Sequence, residues 1–188
     1  MLKKSILPLL FSLTLIFQGC NEEKKVQQVE VANSMISANE YILTALDDKQ
    51  YIVTQDGEDF KLADAKGKVV IFDIFATWCP PCRGAATHLT SLQEKYKDDL
   101  IIIGITIEES IQNSKLQEFA DQYNAKYTLV NSSVNRRLAD KIVNALDLGE
   151  RYPIPIMALY KDGKYITHYV GSIQEEFIES DLKKALGK

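Results

Sequence analysis

Cys79 and Cys82, within Trp78-Cys79-Pro80-Pro81-Cys82, are two thiols one helical turn apart. They follow directly on the apolar run Val69-Val70-Ile71-Phe72-Asp73-Ile74-Phe75, which reads as a buried strand. A strand that delivers Cys79 to the start of a helix places its sulfur among unpaired backbone N–H groups and the positive end of the helix dipole. Both favour the thiolate over the thiol. Cys79 is therefore the expected nucleophile. Cys82 shares its face and is placed to attack a mixed disulfide formed at Cys79, releasing a reduced partner. Pro80 and Pro81 suit a first helical turn, where no intrahelical N–H bond is lost. Trp78 is expected to cover one side of the dithiol and offer partners an apolar contact. A metal half-site and a structural disulfide are the competing uses of such a pair. Zinc would need a second pair of ligands, and the rest of the chain offers only Cys20, His88 and His168, without paired spacing. No metal or cofactor is expected.

The elements that must position this dithiol alternate between strand and helix. Tyr41 to Leu46, Tyr51 to Thr54 and Phe60 to Leu62 alternate apolar and polar residues around turn-forming Asp47-Asp48 and Gln55-Asp56-Gly57, and predict an added N-terminal β-hairpin. Helical spacing runs from Pro80 to Tyr96, with Ala85, Leu89, Leu92 and Tyr96 on one face. Leu100 to Ile107 reads as a strand covered on both faces. A second helix carries Leu116, Phe119, Ala120 and Tyr123, followed by a short strand at Tyr127 to Val130 and a helix at Leu138 to Leu146. Ile156 to Tyr160 and Tyr165 to Val170 form a hairpin across Lys161-Asp162-Gly163-Lys164, and Gln174 to Leu186 closes the chain as a helix.

The third cysteine belongs to the N-terminus. Lys3-Lys4, the apolar stretch Ile6 to Phe17 and Gln18-Gly19-Cys20 have the charged start and short hydrophobic core of an export signal. The stretch is short for a membrane span. A small residue before a cysteine resembles a bacterial lipobox, which implies a signal at 1–19 and a lipid on Cys20. A differently processed signal anchor is the alternative. Residues 20–38 are polar and read as a tether, leaving 39–188 as one domain of ordinary size. The net charge of −4, without a basic stripe, excludes nucleic acid as a partner.

The order of elements, with the Cys pair at a strand-to-helix junction, resembles the thioredoxin superfamily, and within it the exported TlpA/ResA/CcmG branch. The resemblance covers about residues 40 to 187. It rests on Leu62-Ala63-Asp64-Ala65-Lys66-Gly67-Lys68, Phe75-Ala76-Thr77-Trp78-Cys79-Pro80-Pro81-Cys82, Pro153-Ile154-Pro155 and Lys161-Asp162-Gly163-Lys164. It implies an α/β, thioredoxin-like fold with a central mixed sheet flanked by helices. Asp73 matches the superfamily's buried acid, which takes a proton as Cys82 becomes the attacking thiolate; an Asp held by backbone donors is the structural alternative. Pro155 matches the cis-proline opposite the dithiol, and Ile154 would pair its backbone with an extended substrate. Glu109 matches an acidic residue near the cysteines, with a solvated loop side chain as the alternative.

Two departures from the family pattern stand out. Arg83-Gly84-Ala85-Ala86-Thr87 replaces the usual Glu and Pro, which removes an expected kink in the helix and sets Arg83 where its charge would favour the thiolates. The function expected is a thiol-disulfide oxidoreductase, in the reducing direction, on the extracytoplasmic face of a membrane. Its expected partners are cysteine-containing envelope proteins, apocytochrome c among the candidates, and a membrane thiol-disulfide electron carrier. A thiol peroxidase of the redoxin group, an envelope copper-binding dithiol module and a non-catalytic adaptor are the competing functions.

Overall fold

The computed structural model describes residues 38–188. The expected signal at 1–19, Cys20 and all but the end of the expected tether lie outside the described residues. The chain runs β1 (Glu40–Thr44), β2 (Gln50–Asp56), β3 (Asp59–Leu62), β4 (Val69–Phe75), α1 (Pro80–Lys95), β5 (Leu100–Thr106), α2 (Asn113–Tyr123), β6 (Thr128–Val130), α3 (Asn135–Ala145), β7 (Ile156–Lys161), β8 (Lys164–Val170) and α4 (Glu175–Leu186).

Five strands form the central sheet in the order β6-β5-β4-β7-β8. The pairs β4–β5 and β5–β6 are parallel, and β4–β7 and β7–β8 are antiparallel. This is the mixed sheet that the resemblance implies. Central β4 is buried along its whole length, because both of its faces are covered. Its side chains alternate between two apolar layers. Val70, Phe72 and Ile74 join Tyr41, Leu43, Phe60, Leu138 and Ile142 on one side. Val69, Ile71 and Phe75 join Leu89, Leu92, Leu116, Phe119, Ile178 and Leu182 on the other, where Cys79 and Cys82 also pack. Asp73 falls in this second row, on the cysteine side of the sheet.

The N-terminal addition is larger than the expected hairpin. β1, β2 and β3 make a separate three-stranded antiparallel sheet. Phe60 and Leu62 are buried on the same face as Val53, and that shared apolar row recruits β3 as a third strand. This sheet is tied to both edges of the central one. Near β6, the Asn131 N–H donates to the Thr44 carbonyl at 2.8 Å; near β8, Lys164 pairs with Asp59 at 2.5 Å.

At the β7–β8 turn Asp162 and Gly163 have φ of 51° and 88°, the left-handed pair that a two-residue hairpin turn favours. A Cβ at Gly163 would also lie 2.8 Å from the Lys61 Cβ, so glycine lets β3 approach. Helix α1 runs unbroken for 16 residues, as the absence of the family's proline predicts. No helix among the described residues is long and apolar enough to cross a membrane.

Candidate active site

The dithiol sits where parallel strand β4 ends and α1 begins. Cys79 is the N-cap of α1 in an extended backbone conformation, with Pro80 and Pro81 in the first two helical positions. Its Sγ accepts the Cys82 N–H at 3.3 Å, one of the bonds the helix cannot satisfy internally. No acidic residue occupies the first turn, so nothing there opposes negative charge on sulfur. The two cysteines form a disulfide with their Cα atoms 5.3 Å apart. Both are nearly inaccessible, at 3% and 2% exposure, whereas Trp78 is 60% exposed and Pro80 and Pro81 are open to solvent. The exposed rim beside the disulfide is thus the Trp78 ring and the two prolines.

The peptide bond between Ile154 and Pro155 is cis, which distinguishes Pro155 from Pro153. The Ile154 carbonyl lies 3.6 Å from Cys79 Sγ. Buried Pro155 stands at the head of β7, and its carbonyl accepts the Gly171 N–H at 2.8 Å. Proline has no N–H to donate, and Ile154, whose carbonyl approaches the sulfur, is half buried.

Asp73 is 2% exposed, and no backbone donor holds it. Its Oδ2 accepts the Tyr127 hydroxyl at 2.8 Å, and its Oδ1 has no partner. Burial pushes its carboxyl up to about 7, against a smaller lowering by the Tyr127 hydrogen bond. A group with that pKa can both take and release a proton near neutral pH. Asp73 faces Gly104 across β5 and Met157 across β7, neither of which is charged.

Glu109 is exposed and lines a cleft of about 410 Å³ with Ser110, Asn131 and Arg136. The side chain that reaches the motif is its neighbour Glu108. The Glu108 carboxylate accepts the Thr77 N–H at 2.6 Å and the Thr77 hydroxyl at 3.0 Å. The Thr106 hydroxyl donates to it at 3.3 Å. Arg83, expected to lend its charge to the thiols, donates from Nε to the Thr77 carbonyl at 3.0 Å and stacks on the Tyr123 ring. The peptide groups of Thr77, two residues before Cys79, are thereby held from both sides.

His88, one turn beyond the motif, is half buried, and its Nδ1 lies 3.2 Å from the Ile173 carbonyl. His168 contacts the Tyr165 hydroxyl on β8. Among the described residues no group of three or more His, Cys, Asp or Glu side chains could hold a metal ion.

A model of the AhpC/TSA family matches residues 38–153. The chain belongs to the AhpC/TSA family. It is 29% identical over 136 residues to a thiol-disulfide oxidoreductase ResA of Bacillus thuringiensis (strain Al Hakam), covering 71% of this chain and 73% of the relative. It is 35% identical over 78 residues to the thioredoxin-like protein YneN of Bacillus subtilis (strain 168), covering 41% of this chain and 46% of that one. A thiol:disulfide interchange protein of the thioredoxin family from Chlorobium tepidum TLS superposes with a TM-score of 0.60 at 21% identity, over 80% of this chain and 95% of that one. The fold is thioredoxin-like, and the chain is a thiol-disulfide oxidoreductase.

Tyr127, Gly104 and Glu108 escaped the sequence reading. Gly104 carried a usable signal, since a glycine inside Ile101-Ile102-Ile103-Gly104-Ile105 marks a close approach. Tyr127 and Glu108 carried none, being one tyrosine among nine and one of two adjacent glutamates.

Proposed function

We propose that this oxidoreductase reduces disulfides in other proteins of the cell envelope, from an extracytoplasmic position to which a lipid on Cys20 anchors it. Residues 1–19 are the signal removed on export, 20–38 the tether, and 39–188 the catalytic domain. In the reaction, the Cys79 thiolate attacks a disulfide of the partner. A mixed disulfide forms, and the partner's other sulfur leaves with the electron pair. Cys82 then gives its proton to Asp73 and attacks Cys79 Sγ, which forms the Cys79–Cys82 bond and frees the second partner sulfur. Ile154 and Pro155 dock the extended substrate, Trp78, Pro80 and Pro81 form the wall it rests on, and Glu109 meets its flank. A membrane thiol-disulfide carrier returns the electrons, and apocytochrome c is a candidate substrate.

The observation that carries this reading is the disulfide at the N-terminus of α1, with Cys79 Sγ accepting a helix N–H and lying 3.6 Å from the carbonyl before the cis-proline. The test is the reduction potential of the Cys79–Cys82 couple, equilibrated against dithiothreitol or glutathione buffers. A value near or below about −270 mV is expected for a reductase, and one near about −120 mV would make the protein a disulfide donor. Alongside it, Cys79→Ser abolishes reduction of insulin disulfides and Cys82→Ser accumulates a mixed disulfide; a fully active Cys79→Ser protein would sink the mechanism. Cells fed a radioactive fatty acid label the wild type and not Cys20→Ala.

A further inference from the structure

We propose that Tyr127 is a positioning residue for the proton step: it commits one oxygen of Asp73 and leaves the other, Oδ1, as the atom that exchanges a proton with Cys82. This rests on the role of Asp73 proposed above.

Tyr127 precedes β6 and crosses to β4, where its hydroxyl donates to Asp73 Oδ2 at 2.8 Å. A phenol has one proton to donate, so Oδ2 is occupied as an acceptor for as long as Tyr127 stays protonated. Burial and the neighbouring Asp73 charge both push the phenol further from ionisation. Asp73 Oδ1 is buried and has no partner. A buried carboxylate charge is costly, and a proton arriving on Oδ1 removes that charge without displacing the Tyr127 hydrogen bond on Oδ2. The oxygen left open is the one on which a proton is most stabilising.

What allows Tyr127 into this position is the residue opposite Asp73. Gly104 is its register partner on β5. A Cβ at Gly104 would lie 2.9 Å from Tyr127 Cε2 and 2.6 Å from Leu129 Cδ2. The ring therefore occupies space that any larger residue at position 104 would claim. The other neighbours of Asp73 bring no competing charge. β7 presents Met157, the cysteine-side layer contributes Cys79, Cys82 and apolar side chains, and with the two cysteines joined as a disulfide Tyr127 is the one ionisable side chain that perturbs Asp73 among the described residues.

The proton step balances within these groups. The Cys82 S–H bond breaks and its proton goes to Asp73 Oδ1. The thiolate electron pair then forms the bond to Cys79 Sγ, and the partner sulfur leaves with the pair of the broken mixed disulfide. On reduction of the Cys79–Cys82 bond the proton returns from Oδ1 to Cys82.

The experiment is the pH dependence of insulin-disulfide reduction by the full chain, with wild type, Tyr127→Phe and Asp73→Asn compared. Losing the hydroxyl disfavours the carboxylate, so the step assigned to Asp73 moves up by about one pH unit in Tyr127→Phe. Near pH 7 this slows turnover about fivefold, and the loss disappears above about pH 9. A merely structural role would lower activity evenly across pH and leave the midpoint where it is. An unmoved midpoint in Tyr127→Phe, with the step abolished in Asp73→Asn, overturns the tyrosine proposal alone. A step that survives Asp73→Asn overturns the Asp73 reading, and the tyrosine proposal with it. A second readout needs no folded variant: the Tyr127 ring carbon bearing the hydroxyl shifts with the Asp73 midpoint in a wild-type carbon-13 titration, and a flat resonance overturns the hydrogen-bonded assignment.

Discussion

Replacing Asp73 by Asn removes the charge that the fold tolerates least. In the unfolded chain the carboxyl titrates near its ordinary 3.8, and in the folded chain burial holds it at about 7. Between those values the folded protein keeps a proton that the unfolded chain has released. The stability this represents is fully present below about pH 4 and is lost as pH rises towards about 7, with no further loss above. An interval of about three pH units, at about 1.4 kcal/mol each, amounts to about 4 kcal/mol, of which about 3 lies between about pH 5 and about pH 8.5. Asn cannot ionise, and its oxygen can still accept the Tyr127 hydroxyl. Its amide, however, brings donors to a place where Oδ1 has no partner, at a cost of about 1–3 kcal/mol at every pH. The variant should therefore be no more stable than wild type at about pH 5 and should gain on it by about 3 kcal/mol at about pH 8.5. Guanidinium chloride unfolding of both oxidised proteins, followed by far-ultraviolet circular dichroism, measures this. Glu179 is lowered to about 2 and Asp181 and Asp59 are also lowered, so these titrate in the opposite sense, but they are common to both proteins and cancel in the difference. A stability difference that is the same at the two pH values would refute the reasoning.

Two further substitutions probe the supports of the site. Gly104→Ala drives a methyl against Leu129 and Tyr127; it should cost about 1–3 kcal/mol as overpacking, read as a lower denaturant midpoint with unchanged slope. Glu108→Ala leaves the Thr77 N–H and hydroxyl without their acceptor; a loss of about 1–3 kcal/mol with faster proteolysis near Trp78 is expected, and Glu108→Gln should recover part of it. Unchanged melting of Glu108→Ala would show that the loop does not depend on this carboxylate.

How far the site could be read from the chain depended on the range over which each signal acts. The Cys pair, its prolines and the flanking strand are adjacent in sequence, and helix-terminus physics assigns them an arrangement that the fold retains. Pro155 could be chosen over Pro153 because it stands at the entry to a strand, and it is Pro155 that follows the cis bond. Glu109 and Glu108 could not be told apart in this way. Where a strand breaks into a loop, a shift of one residue decides which carboxylate turns inward, and alternation no longer applies. The N-terminal strands were each visible by alternation, but a hairpin and a three-stranded sheet differ only in what β3 packs against.

The sequence by itself determined a dithiol at a strand-to-helix junction within alternating strands and helices, while the roles of the acid in the preceding strand and of the proline opposite came from the resemblance alone. The dithiol and the alternation follow from local periodicity, from the restricted backbone of proline, and from what a helix N-terminus does to a thiol. Only the tertiary structure decided the surroundings that tune this chemistry. Tyr127 reaches Asp73 across 54 residues of chain, Glu108 reaches Thr77 across 31, and both contacts are hydrogen bonds between groups that no local pattern pairs. Each becomes favourable only once β4, β5 and β6 lie side by side, because sheet register brings the partners together and excludes the water that would otherwise satisfy them.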